Sequence, residues 1–288
     1  MRRPRTLSVR PRAFAREPAV VLSRQPGPRT SHWVWFYGEQ SGLLEVLAEA
    51  VRRSRRAVAG TLEPLSVGWL TYRATRDAST HRLVSFDLTW SPYMALQAAG
   101  RSIEPATLVF VSLVAETALT LLPGHAGDAY VFDRLVEVSR LMAQDVPYRA
   151  LAIGWLWTLL VRLGDLSLEG TCATCGRVAG GLEGPDAVWD IQGHLWHPAC
   201  GPSPEAYRFT TSAVLRRELA RLQAGGLIRL GRYPEVARAL ARRRDLWEFF
   251  VRRTEGLVGR PLRSLATAAH LRRDPSEADE RAGMRREE

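Results

Sequence analysis

The sequence predicts an α+β chain: a β-rich N-terminal domain, then a helical domain interrupted by a small metal-binding segment. Three observations carry that expectation. Short β-branched and aromatic runs bounded by turn residues fill residues 19–88. After Trp90 the turn signals thin and a helical apolar period takes over. All three cysteines and two of the six histidines fall within "TCATCGRVAGGLEGPDAVWDIQGHLWHPAC", residues 171–200.

Residues 1–16, rich in arginine and broken by proline, read as a disordered basic arm. No apolar stretch of signal-peptide length follows it, since "AVVL" is too short. "AVVLSR" and "HWVWFYG" read as strands; in the second, Trp33, Trp35 and Tyr37 share one face and Val34 and Phe36 the other. "SGLLEVLAEAVRRSRRAVAG" is ambiguous. Its periodicity and propensity read as helix, whereas a small barrel needs a strand there followed by an arginine-bearing loop. "LSVGWLTYR" and "HRLVSFDL" complete the β-rich part, with Val84, Phe86 and Leu88 alternating. "EPATLVFVSLVAETALTLL", "DAYVFDRLVEVSRLMAQ" and "PYRALAIGWLWTLLVRLG" are helices separated by Gly or Pro. Helices resume after the cysteine segment with "TTSAVLRRELARLQAG" and "PEVARALARRRDLWEFFVRRTEGLVG". Residues 269–288 are highly charged and poor in large apolar side chains, as a disordered tail is.

Cys172 and Cys175 form a C-x-x-C, and His197 and Cys200 an H-x-x-C, 21 residues apart. Two tight pairs joined by a short loop are how a tetrahedral zinc site is delivered. Gly176 lets the backbone turn over the metal. Three cysteines leave one unpaired, which weakens a disulfide reading. Four closed ligands leave no position for a catalytic water, so the zinc is expected to be structural and the protein not an enzyme. His194 lies close enough to compete with His197 but misses the regular interval to Cys200. A zinc hydrolase would need an open position and a base such as Asp186 or Asp190.

The chain has 288 residues and a formal charge of +10, which points to a polyanionic partner. It contains no lysine, so all forty basic residues are arginine. Without lysine there is no Walker A motif and no lysine Schiff base. No His-Glu pairing of the zinc-protease or deaminase kind occurs either. No segment reaches the ~18 uninterrupted apolar residues of a membrane span; a cytoplasmic, nucleoid-associated protein without membrane contact is expected.

Three stretches in order resemble the bacterial DNA repair family RecO. "SGLLEVLAEAVRRSRRAVAGTLEPLSVGWLTYR" resembles its strand, basic loop and next strand. "LLVRLGDLSLEGTCATCG" looks like its helix running into C-x-x-C. "WEFFVRRTEGLVGRPLRSL" is similar to its last helix pair. The resemblance covers residues 17–268. Glu49 and Ala50 stand where the family has a basic residue and glycine, and His197 replaces a usual cysteine.

The resemblance implies an OB-fold over 17–88, a helical domain over 89–268 and a zinc knuckle at 170–202. It implies a recombination mediator that binds single- and double-stranded DNA and anneals complementary strands. With RecR, such a protein helps load RecA onto SSB-coated strands. Expected partners are therefore DNA, RecR and the SSB C-terminal tail, and the free protein is expected to be a monomer. Candidate DNA-binding residues are Arg24, Arg52, Arg53, Arg55, Arg56, Arg73 and Arg76, because the guanidinium fork suits phosphate. Trp33 and Trp35 are either stacking platforms or core. Arg216, Arg217, Arg221 and 242–244 read as the wet face of amphipathic helices. Arg134 and Arg140 are candidates for the tail pocket. The alternative reading is a zinc-ribbon transcription regulator with sequence-specific DNA binding.

Overall fold

The computed structural model describes residues 14–49, 62–74, 80–122, 126–201 and 208–271. The candidates Arg52, Arg53, Arg55, Arg56 and Arg76 lie outside the described residues, as do the arm through residue 13 and the tail beyond 271. The chain divides into two units. One ends at Ser91 and takes in the excursion that ends at Asp128; the other runs from Pro92 to Leu122 and on from Ala129.

In the first unit, alternation of apolar and polar residues builds a barrel. Its strands are β1 (Phe14–Pro26), β2 (His32–Gly38), β3 (Gly42–Ala48), β4 (Val67–Arg73) and β5 (His81–Trp90). They close in the order β1-β2-β3-β5-β4, with β3 and β5 parallel and the other pairs antiparallel. This is an OB-fold, a five-stranded Greek-key barrel. Its core holds Val21, Val34, Phe36, Leu44, Val46, Leu70, Tyr72 and Phe86. Trp33 and Trp35 sit half-buried on the outside, opposite in pleat to buried Val34 and Phe36. Tyr37 shares their face yet is buried, and its hydroxyl accepts a hydrogen bond from the Asp128 backbone N–H at 3.2 Å.

The ambiguous stretch resolves as strand where it is described. Leu44, Val46 and Ala48 point inward, while Leu43, Glu45 and Leu47 are half-buried on the other side. Pairing with β2 from Gly38↔Gly42 to His32↔Ala48 overrides the helical propensity of Leu, Glu and Ala. β1 begins at Phe14, ahead of the expected boundary at 17, because Phe14–Arg16 pair with Arg73–Thr71. β5 likewise continues past 88 to Trp90. Buried Glu17 fixes the β2–β3 turn: its carboxylate accepts from the backbone N–H of Gln40 at 2.9 Å and Ser41 at 3.0 Å, and from the Tyr72 hydroxyl at 3.2 Å. A Cβ at Gly38, the last residue of β2, would approach that carboxylate to 2.5 Å, so a side chain there would displace it.

The second unit contains α1 (Pro92–Ala98), α2 (Pro105–Leu121), α3 (Ala129–Met142), α4 (Tyr148–Arg162), α5 (Ala213–Gly225), α6 (Ile228–Arg232), α7 (Pro234–Arg242), α8 (Arg244–Val258) and α9 (Arg263–Leu271). α4 is its axis. Every residue from Ala150 to Leu160 is buried, as expected for a helix apolar all round. Two of its tryptophans satisfy their N–H groups, Trp155 on the Thr117 hydroxyl at 2.9 Å and Trp157 on the Leu219 carbonyl at 3.0 Å. The single stretch expected over 234–259 is two helices, broken at Arg243, where ψ reaches 80°. α9 extends the helical part past 268 to Leu271.

Candidate metal centre and nucleic-acid interface

Between α4 and α5 the chain forms short strands β6 (Glu169–Thr171), β7 (Val178–Gly180), β8 (Ala187–Asp190), β9 (Leu195–Trp196) and β10 (Arg208–Thr211). β6 and β7 pair as a hairpin, and β10-β8-β9 form a second sheet. The β6–β7 turn carries Cys172 and Cys175. It closes with the Gly176 N–H donating to the Cys172 carbonyl at 2.9 Å and Cys172 N–H to the Arg177 carbonyl at 2.8 Å. Gly176 takes φ +68°, a left-handed conformation that a side chain resists. His197 leaves β9 and enters a 3₁₀ turn, Pro198–Cys200, that presents Cys200.

The ligand atoms of Cys172, Cys175, His197 and Cys200 all lie within 4.8 Å of one another. That set suits one zinc ion on bonds of about 2.0–2.3 Å. His197 approaches through Nδ1, 3.3 Å from the Cys175 sulfur, while Nε2 lies 2.8 Å from the Val178 carbonyl. The carbonyl can only accept, so Nε2 carries the proton and Nδ1 keeps its lone pair for metal. The Cys172 thiol is lowered to about 6, first by the backbone N–H of Cys175, then by those of His197 and Thr174. The Val178 carbonyl and the Cys175 thiol raise His197; burial and the neighbouring thiols raise Cys200.

His194 is not part of this group. Its Nδ1 lies 3.0 Å from Asp190 Oδ2, which also accepts from Trp196 Nε1 at 3.0 Å. Asp190 Oδ1 accepts from the backbone N–H groups of Gln192 and His194, both at 2.9 Å. Asp190 is thus a buried structural hub, and Asp186 is exposed. Neither belongs to the group of four metal-ligand candidates.

Arg216 and Arg253 bind the knuckle to the helices, beside a more open Arg217–Glu183 pair at 3.1 Å. Arg216 of α5 is 0% exposed, which corrects its reading as wet surface. Its guanidinium donates to the carbonyls of Gly181, Gly184 and Pro185 at 2.7 Å and of Thr211 at 2.6 Å. The knuckle folds its carbonyls onto the helix, and a buried cation satisfies them. Arg253 of α8 pairs with Asp165 through both guanidinium arms, Nε at 2.7 Å, and donates to the Ile191 carbonyl at 2.9 Å. Trp157, Trp189, Phe209, Phe249 and Phe250 pack in one cluster, some rings stacked and others tilted. Composition could not reveal these arginines; apart from Thr211, their partners lie 31 or more residues away.

On the barrel, Arg24 is ion-paired with Glu63 at 3.1 Å. Arg73 lies over the Phe14 ring at 5.1 Å, and Arg16 over Trp69 at 5.4 Å. Glu49, one of the two departures noted above, pairs with Arg82 at 2.9 Å. In the helical unit Arg134 is held by Glu137 at 2.8 Å and lies over Tyr130, while Arg140 is exposed. A cleft of about 500 Å³ is lined by Tyr130, Val161, Arg162, Ala220, Gln223 and Ala224. Among the described residues no helix is long and apolar enough to cross a membrane.

Residues 13–89 match the family model described as Recombination protein O N terminal. The chain is also 24% identical over 162 residues to the DNA repair protein RecO of Syntrophobacter fumaroxidans. That similarity covers 56% of this chain and 62% of the relative, less than two thirds of its length.

Proposed function

We propose that this chain, which matches the RecO N-terminal family model over residues 13–89, is a DNA repair and recombination mediator of that family. In this reading it binds single- and double-stranded DNA without sequence preference and anneals complementary strands. With RecR it then helps RecA onto SSB-coated strands in the cytoplasm. The observation that carries the reading is the family match lying over a closed OB barrel whose β3–β4 connection contains Arg52, Arg53, Arg55 and Arg56. Such barrels bind single strands by a positive groove and stacking aromatics. The zinc is assigned to holding the knuckle's shape; it screens four polar ligands and links two turns, and the protein performs no covalent chemistry. We assign the SSB tail to the cleft at Tyr130, Val161 and Arg162, which joins apolar walls to a cation.

The test is a binding titration on unrelated sequences at several salt concentrations. Arginine–phosphate contacts release counterions, so affinity should fall by about 10³ or more between about 50 and 200 mM salt if six or more phosphates are neutralised. Equal affinity for unrelated sequences is expected. A flat salt profile, or strong preference for one sequence, would refute the reading, and the latter would favour a transcription regulator.

A further inference from the structure

The outer face of β1, β4 and β5 carries a row that a solvated barrel wall does not need. Register places Phe14, Arg73 and Arg82 side by side across the three strands. Farther along the same face lie Arg16 and Trp69. Both rings are exposed, Phe14 at 60% and Trp69 at 42%. Each has a guanidinium over it. The two aromatic rows are about 13 Å apart along β1, at roughly 3.3 Å per residue.

Charge points to the occupant. Arg73 and Arg82 are direct cross-strand partners, an arrangement that like charges disfavour. Arg82 is offset by Glu49 and Arg16 by Asp87, both as exposed pairs. Arg73 has no ion pair among the described residues, and its buried Nε finds no acceptor among them. Chain connectivity adds to this. Residues 1–13 join β1 beside Phe14, and 75–79 link Arg73 to the start of β5. The 50–61 segment departs just beyond Leu47, the neighbour of Arg82. By sequence those segments hold five, one and four arginines and a single acid, Asp77. The chain segments that join the strands at this end of the barrel are thus rich in arginine by sequence.

We propose that this β1–β4–β5 face is a path for single-stranded DNA, with bases stacked at Phe14 and Trp69 and phosphates held by Arg16, Arg73 and Arg82. The proposal rests on the DNA-binding reading above and adds the strand's route and the stacking residues. A guanidinium resting on a ring keeps its N–H edge available to phosphate. A weak exposed pair such as Arg16–Asp87 exchanges readily for that contact. A duplex conceals its base faces, so the rings distinguish single strands from double strands.

The experiment uses the full chain and compares wild type with the Phe14→Ala/Trp69→Ala double variant. Binding of labelled oligothymidylate and of an equal-length duplex is measured at fixed salt, with circular dichroism as a check of folding. Single-strand affinity should fall about tenfold or more while duplex affinity stays within about twofold. A Phe14→Tyr/Trp69→Phe variant, which keeps both rings, should bind single strands like wild type. Arg73→Gln/Arg82→Gln should reduce the steepness of the salt dependence. Unchanged single-strand binding by the alanine variant would overturn the proposal and leave the face to a protein partner. Equal loss on single strand and duplex would also overturn it. Failure of wild type to bind either DNA is a different result, which would refute the proposed function itself.

Discussion

Asp190 spends both carboxylate oxygens on the β8–β9 turn that delivers His197. Two backbone N–H groups, the Trp196 indole and the His194 ring converge on it. Hydrogen bonds to a buried charge contribute about 1.5–3 kcal/mol each, and their loss leaves donors unpaired. Asp190→Ala should therefore destabilise the protein by about 2–3 kcal/mol in urea denaturation and speed zinc release. The metal centre makes its own pH prediction. Cys172, held down to about 6 by the Cys175 N–H, is ready as thiolate near neutrality. His197 and Cys200 are shifted upward, so protons compete for them more strongly. Only deprotonated groups bind metal, so zinc uptake releases protons and affinity falls as pH falls. Competition against a chelator from about pH 8 to about pH 6 should show that loss. Elemental analysis of protein never exposed to chelator should find zinc, and His197→Ala should lose it.

At the scale of elements, long-range side chains decide how helices and knuckle join. Arg216 satisfies carbonyls of three knuckle residues. Arg216→Met keeps the apolar stem but strands those acceptors, and should cost about 3 kcal/mol or more. The same substitution at exposed Arg221 should stay within about 0.5 kcal/mol. Glu116 of α2 plays the opposite part at α9: its carboxylate accepts from the N–H groups of Arg263 at 3.0 Å and Ser264 at 2.9 Å and from Arg260 at 2.7 Å. Burial works to raise its pKa, but these hydrogen bonds outweigh it, and the net direction is down. The contribution is therefore present above the ordinary carboxylate value and lost as pH falls through the lowered one. Glu116→Gln should loosen α9 at neutral pH, seen as faster amide exchange over 263–271, and the difference from wild type should shrink in acid.

Over the whole molecule, what could be read from sequence was what depends on near neighbours. Cys172, Cys175, His197 and Cys200 declare themselves by spacing, and the structure brings all four ligand atoms together. β2 declares itself by alternation. β3 does not, because Leu44, Glu45 and Leu47 favour helix and only pairing with β2 and β5 makes them a strand. Arg216 shares its pattern with half-buried Arg217 and exposed Arg221 on the same helix; only the knuckle carbonyls that enclose Arg216 set it apart. Phe14 and Arg16 sat in an apparent arm because their partners, Arg73 and Thr71, lie more than fifty residues away. The central claim is that this chain brings complementary strands together by charge. Annealing is downhill, so a protein need only lower phosphate repulsion and hold two strands, without a nucleotide. The direct measurement is ATP-free annealing of unrelated complementary oligonucleotides by wild type and by the Arg52→Ala/Arg53→Ala/Arg55→Ala/Arg56→Ala variant. Wild type should accelerate annealing, and the folded variant should lose both binding and acceleration. No acceleration by wild type, or a folded variant that anneals at the wild-type rate, would contradict the account.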